Sequence, residues 1–285
     1  MEFKTVYMPS RNFAPRTREE YLNDLEDLLR FLDQVRIEKV NELSISVIDR
    51  YLAHLDDRSL AGATRKRKVI AIRGFLTFLY RNQYLTNDIS KGVIPPFSEY
   101  PLPRVFTQTE YQRLLEACAS NVRDLAIIQL LLQTGIRLSE LVNLTRENID
   151  LPADDTNPIG TLKIISGGGR KSREIPINST ACQAIQKYLI SRPEVSSNLV
   201  FLNNTGQPLG ERGVQKVVLK YMTKIHLHGA SVQTLRHTFA AQHLAKGTSI
   251  KTIQLMLGHK DIRTTEIYLP LAKEIIRKQV EENAL

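Results

Sequence analysis

The chain has 285 residues, 42% hydrophobic and 24% charged, a balance that excludes disordered and fibrous classes and leaves room for two domains with separate cores. No apolar run approaches the roughly 20 residues that span a bilayer, and residues 1–11 carry no signal-peptide stretch, so the expected location is cytoplasmic and no membrane partner is expected. Lys plus Arg outnumber Asp plus Glu by 39 to 30, a net charge of +9 that fits a polyanionic partner, while Cys118 and Cys182 stand outside any metal-ligand spacing and read as small buried hydrophobes.

In chain order, Thr17-Arg18-Glu19-Glu20 reads as a capping box before Tyr21, Leu22, Leu25, Leu28, Leu29 and Leu32, which share one helical face. Ser46 is the expected cap of a second helix through Ile48, Tyr51, Leu52 and Leu55. A third starts near Ala63 and carries Val69, Ile72, Phe75, Leu76 and Leu79, and a short fourth follows Thr86. Pro95, Pro96, Pro101 and Pro103 then exclude a helix, which predicts a linker. The expected division is a helical domain over residues 1–95, a linker over 96–106 and a second domain over 107–285.

The second domain opens at Thr107-Gln108-Thr109-Glu110, another capping box. The nearly continuous apolar run Leu125–Leu132 predicts a buried helix ended by Thr134-Gly135. Three short strands are expected at Asn148–Leu151, Thr161–Ile165 and Arg173–Ile177, the last two joined by a glycine-rich basic tip, Ser166–Ser172. Beyond Thr180 the pattern is helical. The predicted fold is therefore mainly α: an all-helical N-terminal domain and a mixed α+β domain with a small antiparallel sheet.

Four ordered stretches stand out: Thr134-Gly135-Ile136-Arg137-Leu138-Ser139-Glu140-Leu141, Leu235-Arg236-His237, Leu257-Gly258-His259, and Tyr268 nine residues after His259. Each is ordinary alone: an arginine after Thr-Gly is commonly a capping or surface residue, and a tyrosine commonly packs. In this order and spacing they resemble the tyrosine recombinases, the phage integrase family, whose pattern is T-G-x-R-x-S-E-L, H-x-L-R-H, L-G-H and a following tyrosine. The resemblance covers residues 107–285, and the helical first domain looks like the family's core-binding domain.

The resemblance implies that Tyr268 attacks a DNA phosphodiester to give a 3′-phosphotyrosine, which stores the bond energy, so that no ATP and no other cofactor is needed. Arg137 and Arg236 would clamp the phosphate in place of a metal, and His259 would hydrogen-bond it or help to remove the tyrosine proton. Glu140 and His237 would support from behind, His237 as a buried, hydrogen-bonded residue. Two positions depart from the pattern. Gly168 stands where the family has its general-acid lysine, and Lys171 on the same tip is the nearest substitute, ahead of Arg170 and Lys163. Gln233 stands where the family usually has histidine, and its amide can donate to phosphate but cannot shuttle protons. His226 and His228 read as loop residues before the helix.

For DNA contacts the expected residues are Arg65, Lys66, Arg67, Lys68 and Arg73 on the third helix, with Arg170 at the tip. The first hundred residues hold 16 basic and 14 acidic side chains, so that patch is local. The last helix, 270–285, packs on its own domain or docks on a neighbour; the family's exchange of such tails implies a homotetramer on paired sites in double-stranded DNA, with accessory proteins as further partners. The reading that results is a short site-specific recombinase similar to Xer-type enzymes and transposon cointegrate resolvases, acting on dimers, cointegrates or a mobile element. The alternatives are a non-catalytic DNA-binding relative and a type IB topoisomerase-like enzyme.

Overall fold

In the computed structural model, residues 2–95, 101–152, 158–165 and 172–282 are described. The chain forms two compact units, Met1–Pro101 and Leu102–Leu285. In the first, a π-helical turn, Phe3–Tyr7, runs into α1 (Met8–Ser10), followed by α2 (Pro15–Gln34), α3 (Ile45–Asp57) and α4 (Gly62–Arg81), with 3-10 turns at Val40–Glu42 and Ile89–Lys91. The core is made by one face of each long helix: Leu28 and Leu32, Ile48, Tyr51 and Leu55, and Val69, Ile72 and Leu76. Phe3 reaches this core through aromatic contacts with Tyr7, Phe75 and Phe78, which ties the first residues to α4.

Local signals differ from the sequence reading in informative ways. Thr17 does not cap α2; the helix begins two residues earlier at Pro15, because a proline at the first helical position has its φ preset and its missing N–H would have been unsatisfied anyway. Ser44, not Ser46, caps α3 by accepting from the Val47 N–H. After Thr86 the described residues of this unit make a 3-10 turn at Ile89–Lys91 and no α-helix.

The basic run on α4 is largely turned to internal use. Lys68 is buried, its ammonium 3.2 Å from Asp24 and 2.9 Å from Asp27, and Arg67 is ion-paired with Asp24 and lies 3.3 Å from Glu20. Arg65 pairs with Asp56, and Asp27 also accepts from Tyr51 and Arg58. Lys68 is therefore corrected from an outward DNA contact to an interior cation, since a helix that buries Val69 and Ile72 carries Lys68 toward the same side and the carboxylates of α2 neutralise it there. Lys66 is half-buried and Arg73 is exposed.

The second unit holds α5 (Gln108–Cys118), α6 (Val122–Thr134), α7 (Leu138–Val142), β1 (Ile149–Asp150), β2 (Gly160–Ile164), β3 (Arg173–Ile177), α8 (Ser179–Ser191), α9 (Glu211–Lys224), α10 (Val232–Ala245), α11 (Ile250–Leu257), α12 (Arg263–Glu266) and α13 (Leu269–Glu282). The strands form an antiparallel sheet in the order β1-β2-β3, with Leu162 opposite Ile175. Thr107 caps α5 in a reciprocal capping box with Glu110, and α6 is buried nearly all round, as its composition requires. Residues 102–106 belong to this unit rather than to a separate linker: Phe106 is buried and its N–H donates to Thr238 Oγ1 at 2.9 Å. Tyr268, Leu271 and Phe239 share a second small core, so the start of α13 packs on its own domain, whereas Ile276 and Val280 are exposed.

Burial raises the Asp27 carboxyl, but hydrogen bonds from Lys68, Arg58 and Tyr51 outweigh it and hold the pKa at about 2. Because the folded value lies below the ordinary 3.8, this stabilisation is complete above that pH and is lost as the pH falls through about 2. Lys68→Ala leaves Asp24 and Asp27 without their shared cation and should cost about 3 kcal/mol, read as a lower urea midpoint for the first unit.

Candidate active site

The site is built from the backbone outward by two helix ends. Gly135, with φ of 60°, terminates α6 in the left-handed region, and a Cβ there would lie 2.5 Å from Phe239 Cδ1. The chain then turns so that Arg137 stands just before α7. Gly258 ends α11 in the same conformation, φ 62°, and turns His259 back toward Arg236. A Cβ on Gly258 would meet Arg173 Nη1 at 2.9 Å and Arg137 Nη1 at 3.1 Å, so a side chain here would displace the two guanidinium groups that lie against this turn.

Glu140 is the hub of the cations. Its carboxylate accepts from the Arg137 backbone N–H at 2.8 Å and from Arg137 Nη1 at 2.9 Å, and it receives both Nη groups of Arg173 at 2.9 and 2.8 Å. Arg137 Nη2 also donates to the Gly258 carbonyl at 2.6 Å, and Arg173 Nε to the Met256 carbonyl at 2.7 Å. Burial raises the Glu140 carboxyl, yet the Arg173 fork and the Arg137 N–H bring it down to about 2, so it is an anion at any working pH.

Arg236 is buried. It donates to the carbonyls of Gly135 and, at 2.7 Å, of Leu257, and its Nη2 lies 3.0 Å from His259 Nε2. Burial, then the charge of Arg137, lowers its pKa to about 10, which still leaves it a cation at neutral pH. Because a guanidinium has only donors, His259 Nε2 must be the accepting nitrogen, which assigns the proton to Nδ1 and makes Thr265 Oγ1, 2.9 Å away, its acceptor. Burial and the neighbouring Arg236, Arg137 and Arg173 lower the imidazole to about 4. Arg236 fixes this tautomer, and the fully buried Thr265 takes up the remaining N–H.

Tyr268 is 2% exposed, and its hydroxyl lies 2.9 Å from His237 Nδ1, not against His259. Burial raises the phenol's pKa, with Arg236 acting in the opposite sense; burial and then Arg236 lower that of His237. His237 is thus a neutral imidazole in direct contact with the tyrosine.

The structure brings together Arg137, Glu140, Arg236, His237, His259 and Tyr268. Gln233 is exposed at the first turn of α10, on the rim of a groove of about 280 Å³ lined by Leu138, Val218 and Met222. Lys171, Arg170 and Gly168 lie outside the described residues. Lys163 is exposed on β2, and His226 and His228 are exposed in the turn before α10. Among the described residues no cluster of His, Cys, Asp and Glu could hold a metal, and no helix is long and apolar enough to cross a membrane. Sequence reading missed Arg173 and Thr265. Arg173 carried a legible signal: it shares the inward strand face of Ile175 and Ile177, an unusual position for a charge.

Residues 104–274 match the phage integrase family, and residues 1–83 match the phage integrase N-terminal SAM-like domain. The chain belongs to the phage integrase family and is a tyrosine recombinase. It is 32% identical to the tyrosine recombinase XerC of Pelotomaculum thermopropionicum over 94% of this chain and 92% of that protein. It is 29% identical to XerD of Staphylococcus saprophyticus over 99% of this chain and 96% of the other. Among solved structures, XerA recombinase aligns with a TM-score of 0.56 at 25% identity, covering 98% and 96% of the two chains. XerH bound to a palindromic difH substrate in a post-cleavage complex aligns at 0.76 and 20% identity over 95% and 80%, a likeness of fold.

The His259 assignment is testable without DNA. In nitrogen-15 NMR His259 should show the Nδ1–H tautomer, stay neutral through pH 5 and titrate near 4. Since this folded value lies below the ordinary 6.5, the stability it is linked to should decline as the pH falls below 6.5. Titration at the ordinary value would show that the ring is not buried among these cations, and an Nε2–H tautomer would show that Arg236 does not donate to it.

Proposed function

We propose that this recombinase cuts and rejoins double-stranded DNA at specific sites through Tyr268. The observation that carries the reading is the convergence of Arg236, Arg137 and His259 in the same domain region as a tyrosine whose hydroxyl contacts a neutral imidazole. Tyr268 Oη attacks the phosphorus and forms a phosphotyrosine on the 3′ side; the bond to the 5′-oxygen breaks, and that oxygen leaves as a hydroxyl once protonated. Attack by the 5′-hydroxyl of a partner strand reverses the step and releases the enzyme.

In this scheme Tyr268 donates its hydrogen bond to His237 Nδ1, so His237 is the nearest acceptor for the phenol proton, ahead of His259. Arg137 and Arg236 stabilise the charge that builds on the pentacoordinate phosphate, and the neutral His259 contributes a dipole and positions Arg236. Lys171 is the proposed general acid, and Gln233 a hydrogen-bond donor to the bound strand. The first unit acts as the core-binding domain, with Arg73 as its exposed cation and Lys66, Arg65 and Arg67 beside it, and Arg170 contacts the backbone from the tip. The exposed Ile276 and Val280 of α13 support exchange of this helix between protomers of a tetramer on paired sites.

Relatives also support a biological role. The similar XerC and XerD proteins are tyrosine recombinases, and a Tn1549 transposon integrase solved with circular intermediate DNA shares the fold at a TM-score of 0.71. Resolution of dimers or cointegrates, or movement of a mobile element, is accordingly the proposed outcome.

The test is trapping on a nicked suicide duplex carrying the site found near the gene. Wild type should form a covalent adduct, and Tyr268→Phe should bind the duplex yet form none. His237→Ala should slow adduct formation by about 10²-fold with binding retained. If wild type binds but never forms an adduct, the protein holds DNA without cutting it.

A further inference from the structure

Arg173 belongs to none of the four motifs, yet all three of its guanidinium nitrogens are engaged beside the site. Its side chain is 10% exposed, both Nη groups meet the Glu140 carboxylate, and Nε meets the carbonyl of Met256, in the last turn of α11 before Gly258. A buried carboxylate next to Arg137 would by itself cancel one of the two phosphate-clamping charges. With Arg173 present the cluster of Arg137, Arg173, Arg236 and Glu140 carries a net charge of two, His259 being neutral. Without it the net falls to one. A pentacoordinate phosphodiester intermediate carries two negative charges, so the balance matters to the reaction and not only to the fold.

We infer that Arg173 is a positioning and charge-balancing residue: it absorbs the charge of Glu140, so that Glu140 can orient Arg137 without neutralising the phosphate site. This rests on the phosphate chemistry proposed above. Glu140 is a useful brace because its carboxylate can hold the Arg137 backbone and guanidinium together, and Arg173 removes the electrostatic penalty of that brace. The same guanidinium anchors the end of α11, so its position is fixed from two elements.

The experiment uses the full chain, with vanadate as a trigonal-bipyramidal oxyanion probe and the His259 imidazole resonances as the readout. Arg173→Gln should weaken vanadate binding about tenfold or more. Arg173→Lys, which keeps the charge but loses the fork, should recover most of that loss. The double variant Arg173→Gln, Glu140→Gln removes one charge of each sign and restores the net of two, so it should bind at least about threefold more tightly than Arg173→Gln alone, while staying below wild type because Arg137 has lost its brace. A purely structural role would make the double variant no better than the single one. If Arg173→Gln fails to fold, shown by loss of its thermal transition, the lysine and double variants still decide.

Four results overturn the inference: Arg173→Gln binding vanadate as wild type does, Arg173→Lys binding as poorly as Arg173→Gln, the double variant binding no better than Arg173→Gln, or wild type showing no vanadate response. Failure of the suicide-duplex trapping while the vanadate pattern holds would instead sink the strand-cutting reading and leave the charge balance standing.

Discussion

The candidate site depends on one carboxylate. Glu140 sits at the third position of α7, where a glutamate can reach back to the N–H of the residue before the helix, as in an ordinary capping box. Here the residue before the helix is Arg137, and the same carboxylate also takes its guanidinium and that of Arg173. A local helix-capping device has thereby become the joint between α7, β3 and, through the carbonyls of Met256 and Gly258, the end of α11. A charge left in so buried a place without these partners would be costly, which is why the three elements must arrive together.

The histidines divide the remaining work by their neighbours. His259 is locked between a donor-only guanidinium and a buried threonine, so its ring is directional but a poor base. His237, with its Nδ1 against Tyr268, is the imidazole in contact with the tyrosine hydroxyl. Both lie beside Arg236, and burial first and then its charge lower the pKa of each ring. The two rings are chemically alike, and only the hydrogen-bond partners of each nitrogen separate the ring that faces Arg236 from the ring that faces Tyr268.

Much of the fold was legible because its signals are local. Thr107 with Glu110 fixes the start of α5, and the apolar run of α6 dictates a helix buried on every side. Helix starts were misread where two local signals compete, as at Pro15 against Thr17 and Ser44 against Ser46. The four motifs delivered Arg137, Glu140, Arg236, His237, His259 and Tyr268, because these lie at fixed offsets within or just beyond helices. What sequence alone missed is long-range pairing: Lys68 reads as part of a basic run until α2 supplies Asp24 and Asp27, and Arg173 reads as a strand end until Glu140 reaches it from 33 residues away. The direct partner of Tyr268 was likewise hidden, since 31 residues separate it from His237.

Gly135 and Gly258 take no part in any proton or phosphate step, yet each must remain bare for the machinery to close, one against Phe239 and the other against two guanidinium groups. A genetic screen for inactive alleles would therefore recover both positions alongside the tyrosine and the arginines. Sensitivity to substitution in such a screen would map the volume that the cations need as faithfully as the cations themselves, and the length of the resulting list would overstate how many side chains perform chemistry.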